Sequence, residues 1–267
     1  MIKKQVVKKK STALVPWSEK FAGYAKATKE QVKKAGGGGA SIKFGRGSIT
    51  VSGATVPGGK LKCVILGYCA HNRWWDADFN KDDVQPPDCY AYSTEYADAE
   101  MAPHEEASTK QSDLCADCEK NQFGTANTGR GKACANGVKL GILVAKDCED
   151  AEDIPRAEMA TGFLSPTNVK HWKGYVDMLA DEEGVPPWAV VTEITTFDDS
   201  ETQIRVEFNL VEKIEDDDLL TALEQRADME KVQSALQVPY GPKIERTAPV
   251  KKGSVGKNKK FAGSGRR

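Results

Sequence analysis

The chain has 267 residues, which is enough to bury one large core or two modest ones. Charged residues make up 29% of it and the formal net charge is -1, so the overall charge indicates no class of partner. The sequence has no apolar run of about 18 residues, and its lysine-rich start lacks the apolar core of a signal peptide, so we expect neither a membrane span nor an export signal. Seven cysteines are an odd number, which favours metal binding in a reducing compartment over a disulfide framework.

The charges are distributed unevenly along the chain. Residues 1–34 carry ten lysines against two glutamates, and residues 251–267 carry five lysines and two arginines without an acidic residue. Basic arms on an acidic body suit a polyanionic partner, although charged tails also serve solubility. Both interpretations remain open at this point.

Composition divides the chain into a central domain and two arms. We predict a basic N-terminal arm over residues 1–39, in which weak helical spacing favours a short helix over residues 17–34 and Gly36–Gly39 forms a flexible break. Residues 243–267 are predicted to be a disordered basic tail because they contain almost no large apolar residue. Residues 40–242 form the predicted folded domain.

The first part of this domain is predicted to consist of strands. Ser41–Phe44 and Ser48–Val51 flank Gly45-Arg46-Gly47, which indicates a tight hairpin. Lys60–Ala70 is predicted to be a long buried strand. Residues 71–138 then lose all periodicity and are rich in Pro, Asp, Asn, Gly and Cys, so we interpret them as an insertion that is functional or held by a bound group.

Regular structure resumes after the insertion. Lys139–Lys146 indicates a second buried strand. Ser165-Pro166 is a helix-start signal, and apolar residues such as Trp172 and Tyr175 then recur on one helical face. Gly184 is predicted to end this helix.

A hairpin and a helix complete the predicted domain. Trp188–Phe197 and Ile204–Ile214 alternate apolar and polar residues around a turn at residues 198–200. Asp216 is a predicted N-terminal cap for a single C-terminal helix whose apolar stripe reaches Leu236.

Without the insertion, about five main strands remain, with a helix between the third and the fourth. This is the connectivity of an OB-fold, a small barrel that binds single-stranded nucleic acids and oligosaccharides. We therefore predict a mainly β domain with α elements (α+β): an OB-like barrel with a long zinc-stapled insertion and disordered basic termini. A generic α+β sheet is the alternative.

The cysteine spacing in the insertion predicts a zinc site. Cys115 and Cys118 form a CxxC, and Cys134 follows after fifteen intervening residues. Two thiolates on one tight turn fit adjacent corners of a tetrahedron, and the other ligands come from a distant segment. Cys89, which follows two prolines, is the predicted fourth ligand, and His104 is the alternative.

Four protein ligands leave no position for a catalytic water, so the zinc is expected to be structural. A thioredoxin-like role for the CxxC would need a strand and a helix around it, and neither is evident. Cys63, Cys69 and Cys148 lie in or beside apolar strands and are interpreted as small buried hydrophobic residues.

Aromatic and basic residues around the insertion suggest a single-strand interface, since bases stack on rings and phosphates pair with cations. The candidate residues are Lys43, Arg46, Arg73, Trp74, Trp75, Lys120, Phe123, Arg130 and Lys132. The alternatives are that Trp74 or Trp75 packs in the core and that Arg130 and Lys132 lie in a solvated turn. The remaining tryptophans, on periodic or strand positions, are expected to be core residues: Trp17, Trp172 and Trp188.

Enzymatic activity finds little support. The three histidines are not in a recognisable nucleophile or metal-hydrolase arrangement, and the glycine-rich segments lack the strand and helix of a phosphate-binding loop. We therefore predict that the protein is not an enzyme.

Several motifs together resemble a family of tailed-bacteriophage zinc-binding proteins that are described as single-stranded DNA-binding proteins. The motifs are Val56–Leu61, Gln85–Ala91, Met101–Glu105, the CxxCxxNQFG run at 115–124, Gly129–Cys134, and Trp172 and Tyr175 with Pro186-Pro187. The resemblance covers about residues 40–240.

The layout also resembles phage helix-destabilising proteins, whose OB barrel carries a zinc-bound insertion. Those proteins usually end in an acidic tail that recruits replication partners, whereas this chain ends in Lys and Arg. The resemblance implies a protein of the infected bacterial cytoplasm that binds single-stranded DNA in phage replication or recombination, with phage replication or host proteins as further partners. Two alternatives remain open: a zinc-stabilised interaction factor that modulates host transcription or nuclease machinery, and a virion or accessory structural protein.

Overall fold

The computed structural model describes residues 39–78, 84–127, 129–200 and 202–241. Within these ranges, one nine-stranded sheet and three α-helices make up the regular structure apart from short helical turns. The predicted mainly β, α+β class is therefore confirmed. The predictions for the two arms, including the helix over residues 17–34, the core position of Trp17 and the basic tail, lie outside the described residues.

The elements follow in chain order. The strands are β1 (Ser41–Gly45), β2 (Ser48–Val51), β3 (Ala54–Thr55), β4 (Lys60–Trp74), β5 (Cys89–Ser93), β6 (Ala135–Val144), β7 (Ala160–Leu164), β8 (Val190–Asp199) and β9 (Gln203–Lys213). The helices are α1 (Pro166–Met178), α2 (Asp217–Arg226) and α3 (Met229–Leu236). The sheet order is β3-β2-β1-β7-β6-β4-β8-β9, and β5 pairs with β4 outside this path. Strand β1 runs parallel to β7, and the other paired strands are antiparallel.

The first hairpin agrees with its prediction. Gly45 pairs with Ser48, and Gly47 adopts a left-handed conformation with φ of 61°. Glycine reaches this region without a Cβ penalty, which explains the tight turn.

Strand β4 is longer than predicted, and the irregular segment after it is shorter. The strand continues past Ala70 to Trp74 because it still has partners on both sides there: Trp74 pairs with Cys89 of β5, and Arg73 pairs with Ala135 of β6. The predicted insertion at residues 71–138 thus narrows to residues 75–134 and contains β5.

Strand β7 was not predicted. It is five residues long and contains Gly162, so its alternation is too short to be recognised. A side chain at Gly162 would press on the ring of Phe44, which shows how closely β1 approaches β7. The pairing of β7 with both β1 and β6 joins the N-terminal hairpin to the rest of the sheet.

Helix α1 begins at Pro166, as predicted. A π-helical turn (Leu179–Glu183) extends it to Gly184, whose φ of 67° ends the helix. The buried Asn168 fastens α1 to the sheet: its side chain donates to the carbonyl of Ile204 and accepts from the amide of Val206, both at 2.8 Å. The β8–β9 hairpin is also present as predicted.

The predicted single C-terminal helix is wrong, because the chain forms two. Asp216 caps α2 by accepting from the amide of Leu219. Asp228 caps α3 by accepting from the amide of Lys231. The second aspartate satisfies amides that would otherwise lack partners and so starts a new helix.

Two apolar clusters lie on opposite faces of β4. The first packs α1, through Val169 and Trp172, against the sheet, and the second packs Leu223 of α2 and Val232 of α3 against the other face. Three cysteines predicted to be small buried hydrophobic residues are buried in these clusters, which confirms that prediction: Cys63, Cys69 and Cys148. Trp172 is buried and Trp188 packs half-buried against the second cluster, as expected of core tryptophans. Within the described residues, no helix combines the length and apolar character needed to cross a membrane.

Candidate functional site

The sheet places two cysteines on either side of the end of β4. Cys89 begins β5 and lies directly opposite Trp74, the last residue of β4. Cys134 precedes Ala135, which pairs with Arg73 from the other side. Strand pairing therefore brings together two thiols that are 45 residues apart in the sequence.

Backbone hydrogen bonds add the CxxC cysteines to this pair. The amide of Cys115 donates to the carbonyl of Met101 at 2.7 Å, and the amide of Cys134 donates to the carbonyl of Lys120 at 2.8 Å. As a result, Cys89, Cys115, Cys118 and Cys134 all line one cavity of about 10 Å³. All four are buried, and none forms a disulfide.

Burial of these thiols opposes their ionisation. Burial and the proximity of the other thiols raise the pKa of Cys134 to about 12, and burial raises the pKa of Cys115 to about 11. Some hydrogen bonds act in the other direction. The amide of Gln111 donates to Cys89, the amide of Arg73 donates to Cys134, and the side chain of Asn72 hydrogen-bonds Cys115.

The four thiols are neighbours without being arranged as a formed metal site. As the side chains stand, no group of three or more His, Cys, Asp or Glu residues in the described ranges could hold a metal ion. The zinc ion therefore stays a prediction.

His104, the alternative fourth ligand, does not line the cavity of the four thiols. Its ring stacks on Tyr90 with centroids 4.9 Å apart. Its Nδ1 accepts from the amide of Glu106 at 3.1 Å and lies 3.1 Å from the Tyr90 hydroxyl. The geometry thus gives His104 a packing position beside the cavity and leaves Cys89 as the nearer candidate.

Side-chain amides hold the segment from Cys115 to Cys134, the cysteine loop, in place. Asn121 donates to the carbonyl of Cys115 at 2.7 Å, and Gln122 donates to the carbonyl of Ala116 at 3.0 Å. Lys132 donates to Asn121 Oδ1 at 3.2 Å and so links the two ends of the loop. The polar residues that made this segment irregular in sequence therefore satisfy its backbone in the fold.

Three cation–ring pairs surround the loop. The Nζ atom of Lys120 lies 5.8 Å from the Trp74 ring centre, and the Nζ atom of Lys132 lies 5.2 Å from that of Phe123. The guanidinium of Arg73 lies 5.2 Å from the Trp75 ring centre. Such distances allow cation–π attraction.

The rings in these pairs differ in exposure. Phe123 is 80% exposed, Trp75 is 36% exposed and Trp74 is half-buried. Neither tryptophan is among the residues of the apolar core clusters, and Trp74 lines the cavity of the four thiols.

The remaining three candidates fall in two places. Arg130 is exposed in the same loop, near Lys132. Lys43 and Arg46 lie on the β1–β2 hairpin, which β7 and β6 separate from β4. Arg46 forms an exposed ion pair with Asp198 (Nε to Oδ1, 3.7 Å). The structure therefore gathers seven of the nine predicted residues and leaves the hairpin pair apart.

Sequence reasoning did not predict that Arg73 also borders a buried group of aromatic and basic residues. His71 is completely buried and stacks on Tyr92 with centroids 4.6 Å apart, and its Nδ1 has no hydrogen-bond partner. The guanidinium of Arg73 lies 3.3 Å from the Phe163 ring centre. Burial lowers the pKa of Lys139 to about 8, and its Nζ donates to Tyr92 Oη at 2.9 Å.

One signal could have found this group. Tyr90 and Tyr92 are two residues apart, so on a strand they share a face. In the fold they lie opposite Arg73 and His71 respectively. The surrounding Pro, Asp and Cys residues concealed the short strand.

Comparison with models of known families, with curated proteins and with solved structures gave no significant match to this chain.

Proposed function

We propose that this protein binds single-stranded DNA through the ring–cation face around the cysteine loop. The observation that carries the proposal is the set of three cation–ring pairs beside an 80% exposed Phe123. Bases stack on exposed rings irrespective of sequence, and neighbouring cations neutralise phosphates. The residues assigned to this face are Arg73, Trp74, Trp75, Lys120, Phe123, Arg130 and Lys132.

The scaffold proposed for this face is an OB-like barrel. Strands β4, β6, β7, β8 and β9 form the series, with α1 between the third and the fourth, and β4 pairs with both β6 and β8. Closure is supported at the far side of the sheet, where Thr196 of β8 donates to the carbonyl of Ser48 of β2 at 3.2 Å. Small barrels of this connectivity present a curved face to single strands.

A structural zinc ion is proposed to hold the loop through Cys89, Cys115, Cys118 and Cys134. The donor set has the composition of a zinc site, because four thiols line one cavity. Burial raises the pKa of Cys89, Cys115 and Cys134, and hydrogen bonds to the same three thiols act in the opposite direction and favour thiolate. When bound, the ion would supply the charge that offsets the thiolates and would tie β5, the CxxC turn and β6 together. The chain's own residues then position Lys120, Phe123 and Lys132 at the rim.

The direct test compares a labelled single strand with the same sequence as a duplex at several salt concentrations. We expect tighter binding of the single strand and a negative slope of log affinity against log salt. Equal affinity for both forms would contradict the proposal. Deleting residues 1–12 and 247–267 should flatten the slope if the basic arms contact phosphates.

An exposed Phe123 also favours the second candidate, a zinc-stabilised factor that binds a protein. Exposed aromatic side chains are common anchors at protein interfaces. A pull-down from host lysate with and without nuclease separates the two, because capture through DNA disappears with nuclease. The location in the cytoplasm of an infected bacterium, and any role in phage replication or recombination, rest on the motif resemblance and belong to the proposal.

A further inference from the structure

A wide groove lies at the opposite end of β4 from the cysteine loop. Its volume is about 760 Å³, and its walls are the start of β4, the end of β6, strands β8 and β9 and the first turn of α2. The apolar part of the lining comes mainly from Val56, Leu61, Val64, Val191, Ile214 and Leu219. Its lining is mainly apolar, and an amphipathic helix can lay its apolar face into a groove of this kind.

The rim of the groove is acidic. Five acidic residues and four lysines line it: Glu149, Glu193, Glu212, Glu215 and Asp216, with Lys60, Lys62, Lys146 and Lys213. Lys60 pairs with Glu193 and Lys213 pairs with Glu183, so the lining has an excess of one negative charge. The adjoining segments add further acidic residues: Asp150, Glu152, Asp153, Asp217 and Asp218. The groove therefore suits an apolar segment that carries positive charge.

Residues 17–34 of this chain have that chemistry. Trp17, Phe21 and Tyr24 are spaced by four and then three residues, which places them on one face of a helix. The segment carries five lysines against two glutamates: Lys20, Lys26, Lys29, Lys33 and Lys34, with Glu19 and Glu30.

The path from this segment to the groove is short. The described chain begins at Gly39, beside Met159, and Met159 lies against Gly141 of β6. Ser41 pairs with Thr161 and Thr161 pairs with Gly141, so Gly39 is level with Leu143, two strand spacings or about 10 Å away. Val144, the next residue of β6, lines the groove. The four glycines at 36–39 can span up to about 14 Å, so the tether is long enough.

We propose that residues 17–34 dock in this groove of their own molecule, with Trp17, Phe21 and Tyr24 against its apolar wall. The acidic rim then faces the lysines of the segment. This docking is independent of any nucleic-acid activity of the cysteine loop.

Limited trypsin digestion of the full chain tests the proposal, with cleavage sites read by mass spectrometry. Docking should slow cleavage at Lys20, Lys26, Lys29 and Lys33 by about tenfold or more relative to Lys3–Lys10 of the same molecule, because a protease cuts only the released segment. Equal rates at the two sets of lysines would overturn the proposal.

Two variants locate the contact. Phe21→Asp lies outside the described domain and should abolish the protection, because it places a charge on the apolar face of the segment. Leu219→Glu should abolish it as well, because it places a charge in the apolar lining of the groove. The matched control is Leu220→Glu, the same substitution at a half-buried neighbour outside the groove, which should keep it. Protection that survives Phe21→Asp would refute the docking. Protection that increases with protein concentration would refute docking within one molecule and assign the segment to a second copy.

Discussion

The Nζ atom of Lys132 lies 5.2 Å from the centre of the Phe123 ring, and that ring is 80% exposed. A large apolar ring in water gains little from folding, so its stacking capacity remains available to a ligand. The cation beside it can hold a phosphate while the ring stacks on a base.

Replacing Phe123 with Ala should weaken single-strand binding by about tenfold or more, since loss of one stacking ring costs about 1–3 kcal/mol. The melting temperature should change little because the ring buries almost no area. Anisotropy titrations and thermal melts measure the two quantities. The matched control is Phe197→Ala on β8, which removes another exposed phenylalanine (46%) and should bind normally. Equal losses in both variants would contradict the assigned face.

Trp75→Ala should also weaken single-strand binding by about tenfold. Its indole Nε1 donates to the carbonyl of Gln85 at 3.1 Å, which holds the ring beside Arg73. Trp75→Phe keeps a ring and loses this hydrogen bond, so it should retain more affinity than Trp75→Ala. Tryptophan fluorescence of the intact protein should be quenched by added oligonucleotide. If Trp74→Ala and Trp75→Ala both bind normally and no quenching occurs at low salt, the protein-partner function is favoured.

One zinc ion per chain is expected in the purified protein. Cys118→Ser and Cys89→Ser should lower the metal content, whereas His104→Ala and the control Cys148→Ala should retain it. Chelation should increase hydrogen exchange in residues 115–134 before the sheet responds, because metal binding and local folding are coupled. Full zinc occupancy in Cys118→Ser would exclude the proposed site.

Above pH 9 the free energy of unfolding should fall. Burial raises the pKa of Cys69 and of Cys148 from 9.0 to about 12, so these thiols stay protonated in the fold while they ionise in the unfolded chain. The unfolded state then releases protons, and stability is full below pH 9 and decreases between pH 9 and 12, by up to about 1.4 kcal/mol per pH unit for each thiol. Denaturant titrations across this range should show a shallower decline for Cys148→Ala. If the free energy of unfolding declines equally with pH in the intact protein and in Cys148→Ala, the raised pKa of Cys148 is contradicted.

Gly137→Ala should destabilise the fold by about 1–3 kcal/mol, because a Cβ there would collide with the Phe163 ring and the carbonyl of Leu164. The Phe163 ring lies under Arg73, so the change should also disturb the ring–cation face. Gly174→Ala is the control: it is exposed on α1 with open space at the Cβ, and it should stabilise the helix by about 0.5–1 kcal/mol. A neutral Gly137→Ala would show that β6 and β7 can separate at no cost.

Neighbouring residues were sufficient to predict the first hairpin, the β8–β9 hairpin and the start of α1. Glycine in a tight turn, alternation along a strand and proline in the first turn of a helix all act within a few residues. The same local information placed Cys63 and Cys69 in the core. The cysteine spacing likewise identified a candidate ligand set that the fold gathers around one cavity.

Pairing between strands that are distant in the sequence could not be predicted in this way. Strands β5 and β7 are five residues each, and their stability comes from pairing with β4, β6 and β1 rather than from their own pattern. That pairing decides that His71 meets Tyr92, that Cys89 and Cys134 flank Trp74, and that Lys43 and Arg46 lie away from the cysteine loop. Strand register depends on burial across the whole sheet, and a window along the chain does not contain that information.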